Sequence, residues 1–426
     1  MALGGGSFIT QNKVLPGAYI NFISRTRATS ALSDRGVVTI ALELNWGAER
    51  VIELTSDTLQ KEALKTFGYP YDSNELAPIR DIFCNATKLY LYRLNAGGNK
   101  AANDFATAKC AGTRGNDIKI MIQANVDEPS KYDVSTILGT SVVDTQTVTA
   151  ANELKDNDFV SFKSDAVLST TAATALTGGT NKTVTGTEHS AYLAEIEPYA
   201  FNAIGCMASD AVTAKLYAAF TKRMREEVGA KFQCVVYNYA ADYEGVINVK
   251  NAKEIIPWVL GAEGGCAVNK SCTNKKYDGE AEVQTAYTQT QLENAIKAGE
   301  FVLHKVGDDV CVLTDINSLV TLTEEKGEVF QSNQSIRVMD QIANDIAAIF
   351  KSKYIGKISN DMLGRNALWL DIVQHHEKLQ DIGAIEGFSG ENVTVEPGET
   401  KKSVVVSDVV TVVNAMEQLY MTVVVQ

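Results

Sequence analysis

Few residues in this chain are of a type that does acid–base or metal chemistry. Four histidines, at positions 189, 304, 375 and 376, serve 426 residues. The segment His376-Glu377-Lys378-Leu379-Gln380 approaches the zinc-protease pattern HExxH, in which two imidazoles one helical turn apart hold the metal and the glutamate acts as base. Here the second histidine is a glutamine, so the ligand set is incomplete. The expectation is that His375 and His376 lie on the solvated or subunit-facing side of an ordinary helix. A serine hydrolase needs its nucleophile on a strained G-x-S-x-G turn, and Gly387-Phe388-Ser389-Gly390 reads instead as a flexible hinge. Phosphate-binding patterns are missing too, since Gly356-Lys357 is followed by Ile358 and no strand leads a GxGxxG. Gly178-Gly179 and Gly264-Gly265 would cradle an anion if they opened helices, but such pairs more often mark domain joints. The acidic pairs Glu324-Glu325 and Asp308-Asp309 read as solvated turns, because adjacent side chains do not generally converge on one substrate. No catalytic residue, metal ligand or cofactor site is expected, which counts against an enzyme.

The elements around these residues are of mixed type. A chain of 426 residues exceeds one hydrophobic core, so several domains are expected. Strands are expected at Val37 to Leu44, Arg50 to Leu54 and Lys88 to Leu94, with helices around Thr58 to Phe67 and Leu76 to Ala86. Between Ile118 and Lys182 the texture becomes Val/Thr-rich and broken by Gly, Asn, Asp and Ser, which predicts a separate β block. Beyond it, Tyr192 to Phe201, Asp210 to Val228 and Ala252 to Leu260 read as helices, and Ala203 to Met207 and Phe232 to Tyr237 as strands. That order predicts a parallel sheet with helices packed on it. Ser335 to Lys357 has Val338, Met339, Ile342, Ile346, Ile349 and Phe350 at helical spacing with polar residues opposite, and Asp361 to Leu379 is a second helix. Strand segments are expected again at Asn392 to Glu396 and Ser403 to Val406.

Composition narrows the partners. The net charge of −13 repels phosphate backbones, so nucleic acid is not expected as a direct partner. No apolar run approaches the ~18 residues of a membrane span, and Met1 to Phe8 lacks a basic and apolar signal, so the chain is expected to be made in a cytoplasm and to stay there until released. The seven cysteines, at 84, 110, 206, 234, 266, 272 and 311, contain no CxxC pair and read as buried reduced thiols.

Both ends are unusual. After Gly4-Gly5-Gly6, a Pro16-Gly17 turn leads into a short β-like segment in which Ala18, Ile20 and Phe22 share one face, as an arm would. The chain closes on Leu419-Tyr420-Met421-Thr422-Val423-Val424-Val425-Gln426, a Val-rich strand that aggregates unless it is covered. Two readings stay open: it pairs within its own domain, or it crosses to a neighbour by strand addition.

Taken in order, these segments resemble the contractile phage tail sheath family, in the branch typical of phages and phage-tail-like bacteriocins of Gram-positive bacteria. The resemblance rests on MALGGGSFITQNKVLPGAYINF (1–22), RGVVTIALELNWG (35–47), NATKLYLYRLNAG (85–97), AGTRGNDIKI (111–120), ALTGGT (175–180), VFQSNQSIRVMDQIANDIA (329–347) and VVTVVNAMEQLYMTVVV (409–425). It implies an α/β and α+β multidomain chain: an α/β core with a parallel-type sheet, an inserted β-rich domain, and a C-terminal α+β domain completed by strands exchanged between subunits. The corresponding divisions are an N-terminal arm (1–22), a mixed α/β region (23–110), a β-rich outer domain (111–182), an α/β core (183–330) and a C-terminal assembly domain (331–426).

It also implies a sleeve of stacked hexameric rings around an inner tail tube, contracting to drive the tube through a bacterial cell envelope, with baseplate and tail terminator proteins as further partners. The intersubunit contacts would be carried by Val14, Pro16, Gly17, Tyr19, Ile20 and Phe22 of the arm and by Leu419, Met421, Val423 and Val425 of the last strand. The helix Ser335 to Lys357 is the expected contact with the tube. The subunit would be assembled in the bacterial host cytoplasm and then form part of a released virion tail or phage-tail-like particle. The α/β core of this family has been likened to subtilisin, so a serine-type hydrolase is one alternative. A non-contractile self-assembling tube or surface protein is another.

Overall fold

The computed structural model describes residues 32–425, so the arm residues Val14, Pro16, Gly17, Tyr19, Ile20 and Phe22 lie outside the described residues. The described chain divides into two compact units, a larger one of residues 33–344, 379–387 and 410–425, and a smaller one of 345–378 and 388–409.

The larger unit begins with β1 (Val37–Leu42), β2 (Ile52–Leu54), α1 (Ser56–Phe67), α2 (Ala77–Phe83) and β3 (Lys88–Arg93). β1 becomes a central strand because both its faces are apolar. Val38, Ile40 and Leu42 enter one core, and Val37 and Ala41 pack into another on the opposite face. Burying each of the larger side chains stabilises the sheet by about 1.5–3 kcal/mol. Thr39 is the one polar residue of this strand, and its hydroxyl bonds Tyr192 Oη at 2.7 Å. Thr55 caps α1 through a reciprocal bond with Thr58, and Gly68 ends that helix at φ 72°, a left-handed conformation that glycine adopts without strain.

A β-rich insertion follows: β4 (Ala106–Ala108), β5 (Ile118–Ala124), β6 (Tyr132–Leu138), β7 (Ser141–Val148), β8 (Val160–Phe162) and β9 (Thr171–Ala175). β7-β6-β5-β9 form an antiparallel sheet and β4 pairs with β8. Its two glycine motifs meet at its base. Asn116 Nδ2 donates to Gly179 O at 2.9 Å while Asn116 Oδ1 accepts from Gly179 N at 2.8 Å. A side chain on Gly112 would stand 2.1 Å from Asn45 O, so only glycine permits that approach.

The core resumes with α3 (Gly186–Ile196), β10 (Ala203–Cys206), α4 (Ala211–Arg223), β11 (Gln233–Tyr237), β12 (Val246–Val249), α5 (Ile256–Gly265), α6 (Gln289–Lys297), β13 (Glu300–Phe301), and a hairpin of β14 (Leu303–Val306) and β15 (Asp309–Val312). The main sheet has the order β13-β12-β11-β10-β1-β3-β2, parallel throughout except for the edge strand β2. Strands from both sides of the insertion therefore share one sheet, as expected for an α/β core with an inserted β-rich domain.

Gly264 and Gly265 neither join domains nor cradle an anion. They lie inside α5, where added side chains would stand 2.2 Å from Val38 Cγ1 and 2.1 Å from Asn85 O. Gly261 makes the same allowance for Ile82 O at 2.3 Å, so α5 packs backbone-close on the segment of α2.

The remaining elements are α7 (Asn333–Ile349), α8 (Met362–Asp381), β16 (Ile385–Glu386), β17 (Val393–Pro397), β18 (Val404–Asp408) and β19 (Thr411–Val412). α7 departs from the expected amphipathic pattern. Its polar residues Asn333, Gln334, Ser335, Arg337, Asp340 and Gln341 are buried as fully as its apolar ones, so the first half of the expected tube-contact helix has no free polar face.

Candidate assembly surface

Within the larger unit, buried charges fix the start of α7. Arg337, 1% exposed, donates to Glu263 Oε2 and Asp315 Oδ2, both at 2.5 Å. Burial pushes the Glu263 carboxyl well up, and the Asp315 charge adds to that rise. Burial also acts to raise Asp315, but the Arg337 charge and hydrogen bond outweigh it and hold that carboxyl low. Glu263 and Asp315 lie close enough to Cys272 to hold a cation among them, and Arg337 is the cation that answers both carboxylates. A second buried pair, Arg225 with Asp340 at 2.6 Å, anchors the next turn of α7.

The same turn of α7 holds residues 413–415 of the C-terminal segment. Gln334 Nε2 donates to Val413 O at 3.1 Å and Gln334 Oε1 accepts from Ala415 N at 3.0 Å. Ser332 and Ser335 hydroxyls both donate to Asn414 Oδ1 at 3.1 Å. The final fixed point is Glu417, whose carboxylate accepts from Thr273 Oγ1 at 2.7 Å and Thr314 Oγ1 at 2.8 Å.

Beyond Glu417 the described segment has no strand partner. Leu419 is 84% exposed, Met421 73%, Val423 69% and Val425 89%, and Tyr420 and Val424 are as open. Of the four described assembly candidates, none pairs with another strand among the described residues. An uncovered apolar segment of this kind is a surface that soluble proteins normally protect.

The smaller unit carries an open sheet of its own. β17 and β18 form a two-stranded antiparallel hairpin with no further strand among the described residues. Two strands alone are marginal in water. Here they are pinned to one face of α8, from positions two helical turns apart. Trp369 Nε1 donates to Gly390 O at 3.1 Å and Val393 O at 3.0 Å, at the start of β17. His376 Nε2 lies 2.9 Å from Asp408 Oδ2, at the end of β18.

The two adjacent histidines are therefore not on a solvated side. Both are fully buried, and His375 Nε2 meets Asp345 Oδ2 at 3.0 Å. They are structural pins between helix and hairpin and between α8 and the end of α7. The expected hinge narrows as well, because Trp369 Cζ2 would stand 2.7 Å from a side chain on Gly390, which leaves Gly387, at φ 63°, as the free glycine of that run.

The cysteines also differ from expectation. Cys206, Cys234, Cys272 and Cys311 are buried, whereas Cys84 is exposed and Cys110 and Cys266 are half-buried. Sequence reasoning missed the Arg337 cluster and the anchors of the C-terminal segment. The signal was a lone glutamate, Glu263, inside the otherwise apolar IPWVLGAEGG, which requires a buried partner.

Four domains of one family match the chain in sequence. They are the tail sheath protein Gp18 domain III N-terminal region at residues 35–94, the phage tail sheath protein beta-sandwich domain at 96–181, the central domain at 182–318 and the C-terminal domain at 325–426. The phage-like element PBSX protein XkdK of Bacillus subtilis is 33% identical over 99% of both chains. The tail sheath protein of Clostridium phage phiCD119 is 30% identical over 39% of this chain and 50% of its own. The crystal structure of the sheath tail protein of Desulfitobacterium hafniense superposes with a TM-score of 0.85 at 36% identity, covering 94% of this chain and 98% of that one. The contracted helical sheath of the anti-feeding prophage shares the fold, with a TM-score of 0.57 at 12% identity over 97% of this chain and 99% of that one. With full-length relatives at this identity and sheath domains matched from residue 35 to the end, the chain belongs to the phage tail sheath family.

Proposed function

We propose that this sheath subunit polymerises as stacked hexameric rings around an inner tail tube and contracts to drive the tube through a bacterial cell envelope. The observation that carries the reading is the uncovered, apolar-rich segment 418–425 in a chain that also holds an open β17–β18 hairpin. In the assembly, Leu419, Met421, Val423 and Val425 of one copy pair along the hairpin of a neighbour, and the N-terminal arm with Tyr19, Ile20 and Phe22 adds a further strand. Main-chain bonds of this type survive rotation of the subunits when the connecting segments flex, so sleeves shorten without losing their links. The energy resides in two packings of the same subunits, with the contracted one lower. No nucleotide hydrolysis is required, and the role is structural rather than enzymatic.

The β-rich residues 111–182 face outward, baseplate and tail terminator proteins cap the ends, and the subunit is assembled in the host cytoplasm before release in a virion or phage-like particle. Deleting residues 1–22 tests the strand-exchange part. The truncated chain should keep its circular dichroism and melting temperature yet form no sleeves. Loss of folding would show that the arm belongs to the subunit's own core instead.

A further inference from the structure

Two of the seven cysteines lie together. After α5 ends at Gly265 the chain turns back, closed by Lys270 N donating to Ala267 O at 3.0 Å. Cys266 and Cys272 thereby line one surface groove of about 460 Å³, along with Lys270 and Lys275. Cys266 Sγ lies 3.5 Å from Lys270 O. Cys272 Sγ lies 3.6 Å from Ala262 O, the carbonyl that also accepts Cys266 N at 2.9 Å. Both side chains thus gather about the same turn, each thiol donating to one of its carbonyls. Cys266 is half-buried and open to the groove, and Cys272 is buried behind it. A reachable thiol backed by a second one is the arrangement in which the first meets an oxidant and the second resolves the product.

We propose that Cys266 and Cys272 form a reversible oxidation site, in which a peroxide oxidises Cys266 and Cys272 then closes a disulfide. The Cys266 thiolate attacks one peroxide oxygen, the O–O bond breaks, and hydroxide leaves and is protonated to water. A sulfenic acid remains on Cys266. Cys272 gives up its thiol proton and attacks that sulfur, the S–O bond breaks, and the oxygen departs as a second water. The peroxide gains the two electrons that the two thiols lose.

The surroundings favour Cys266 as the attacking group. The neighbouring Cys272 thiol brings the Cys266 thiol down to about 6, burial and the Asp315 charge oppose this, and the charges of Arg337 and Arg35 add to the lowering. Arg35 Nε also donates to Cys266 O at 2.9 Å, which places that guanidinium at the site. Cys84 is the internal control: although exposed, it is pushed up to about 11 by burial of its sulfur and by the nearby Asp278 charge. The site also adjoins the anchors of the C-terminal segment, since Cys272 N donates to Asp315 Oδ2 at 2.9 Å and the next residue, Thr273, holds Glu417.

The test uses the purified full chain treated with hydrogen peroxide at neutral pH, then blocked, denatured and digested. Free thiols should fall from seven to five, seven minus the pair, with Cys266 and Cys272 recovered as one disulfide-linked product and the count restored by dithiothreitol. In Cys272→Ser, dimedone should trap a sulfenic acid on Cys266. Retention of all seven thiols, loss at Cys84 or Cys110 instead, or oxidation of Cys266 with Cys272 still free in the unsubstituted chain would overturn the proposal. Mapping of the unsubstituted chain decides the matter even where a variant fails to fold.

Discussion

The double change Val423→Lys, Val425→Lys separates the stability of the subunit from its power to assemble. In the single chain these side chains are 69% and 89% exposed and meet no partner strand among the described residues, so replacing them should leave the folded subunit intact. Its stability should stay within the scatter expected of surface substitutions, about 0.5 kcal/mol. In a sleeve the alternation of the strand puts Val423 and Val425 on one face with Leu419 and Met421. If that face is buried, the change forfeits about 1.5 kcal/mol or more for each valine. It also buries two ammonium groups at several kcal/mol each unless they escape to solvent. The burial loss alone, about 3 kcal/mol per subunit contact, lowers the association constant more than about 100-fold. Circular dichroism reports the melting temperature, and sedimentation with negative staining reports the sleeves. Normal sleeves from this variant, or a subunit that no longer folds, would refute the reasoning.

Other expectations follow from the interior. Arg337→Ala leaves Glu263 and Asp315 buried without their cation and should destabilise the chain by about 3–5 kcal/mol, read from denaturant midpoints. Gly261→Ala forces a methyl to within 2.3 Å of Ile82 O and should cost about 1–3 kcal/mol through separation of α5 from α2, while the same change at the open Gly186 should cost much less. The Glu188 carboxyl, held down to about 2 by its bonds to Lys182 and Thr185, contributes stability that is present above its unfolded value near 4.5 and is lost as pH falls toward 2. Glu188→Gln should therefore flatten the dependence of the denaturation midpoint on pH across that window, and an unchanged acid limb would contradict the assignment.

Much of the architecture was legible because its signals are local. β1, β3 and β10 are short runs whose neighbours in sequence already carry the packing pattern, whereas the helix expected at Tyr192 to Phe201 in fact runs over Gly186–Ile196, started by a capping box at Thr185 that the apolar pattern alone does not show. What escaped depends on contacts distant in sequence. The polar positions of α7 resemble a solvated face until Arg337 is seen with Glu263, 74 residues away, and Arg225 with Asp340, 115 away. His375 and His376 were read as lying on a solvated or subunit-facing side for the same reason, since their carboxylates come from Asp345 and from β18. The β14–β15 hairpin was missed although LHKVGDDVCV alternates about a glycine, because its strands are short and Asp308-Asp309 drew notice as an acidic pair. For the assembly residues, sequence showed an apolar terminal strand, and the structure adds that no other strand among the described residues pairs with Leu419 to Val425.

The most direct test of the sheath account is negative-stain electron microscopy of the purified full chain, alone, after concentration, and with its inner tube protein. The account predicts uniform hollow sleeves or stacked six-fold rings. Dispersed monomers that persist when the tube protein is added would contradict it.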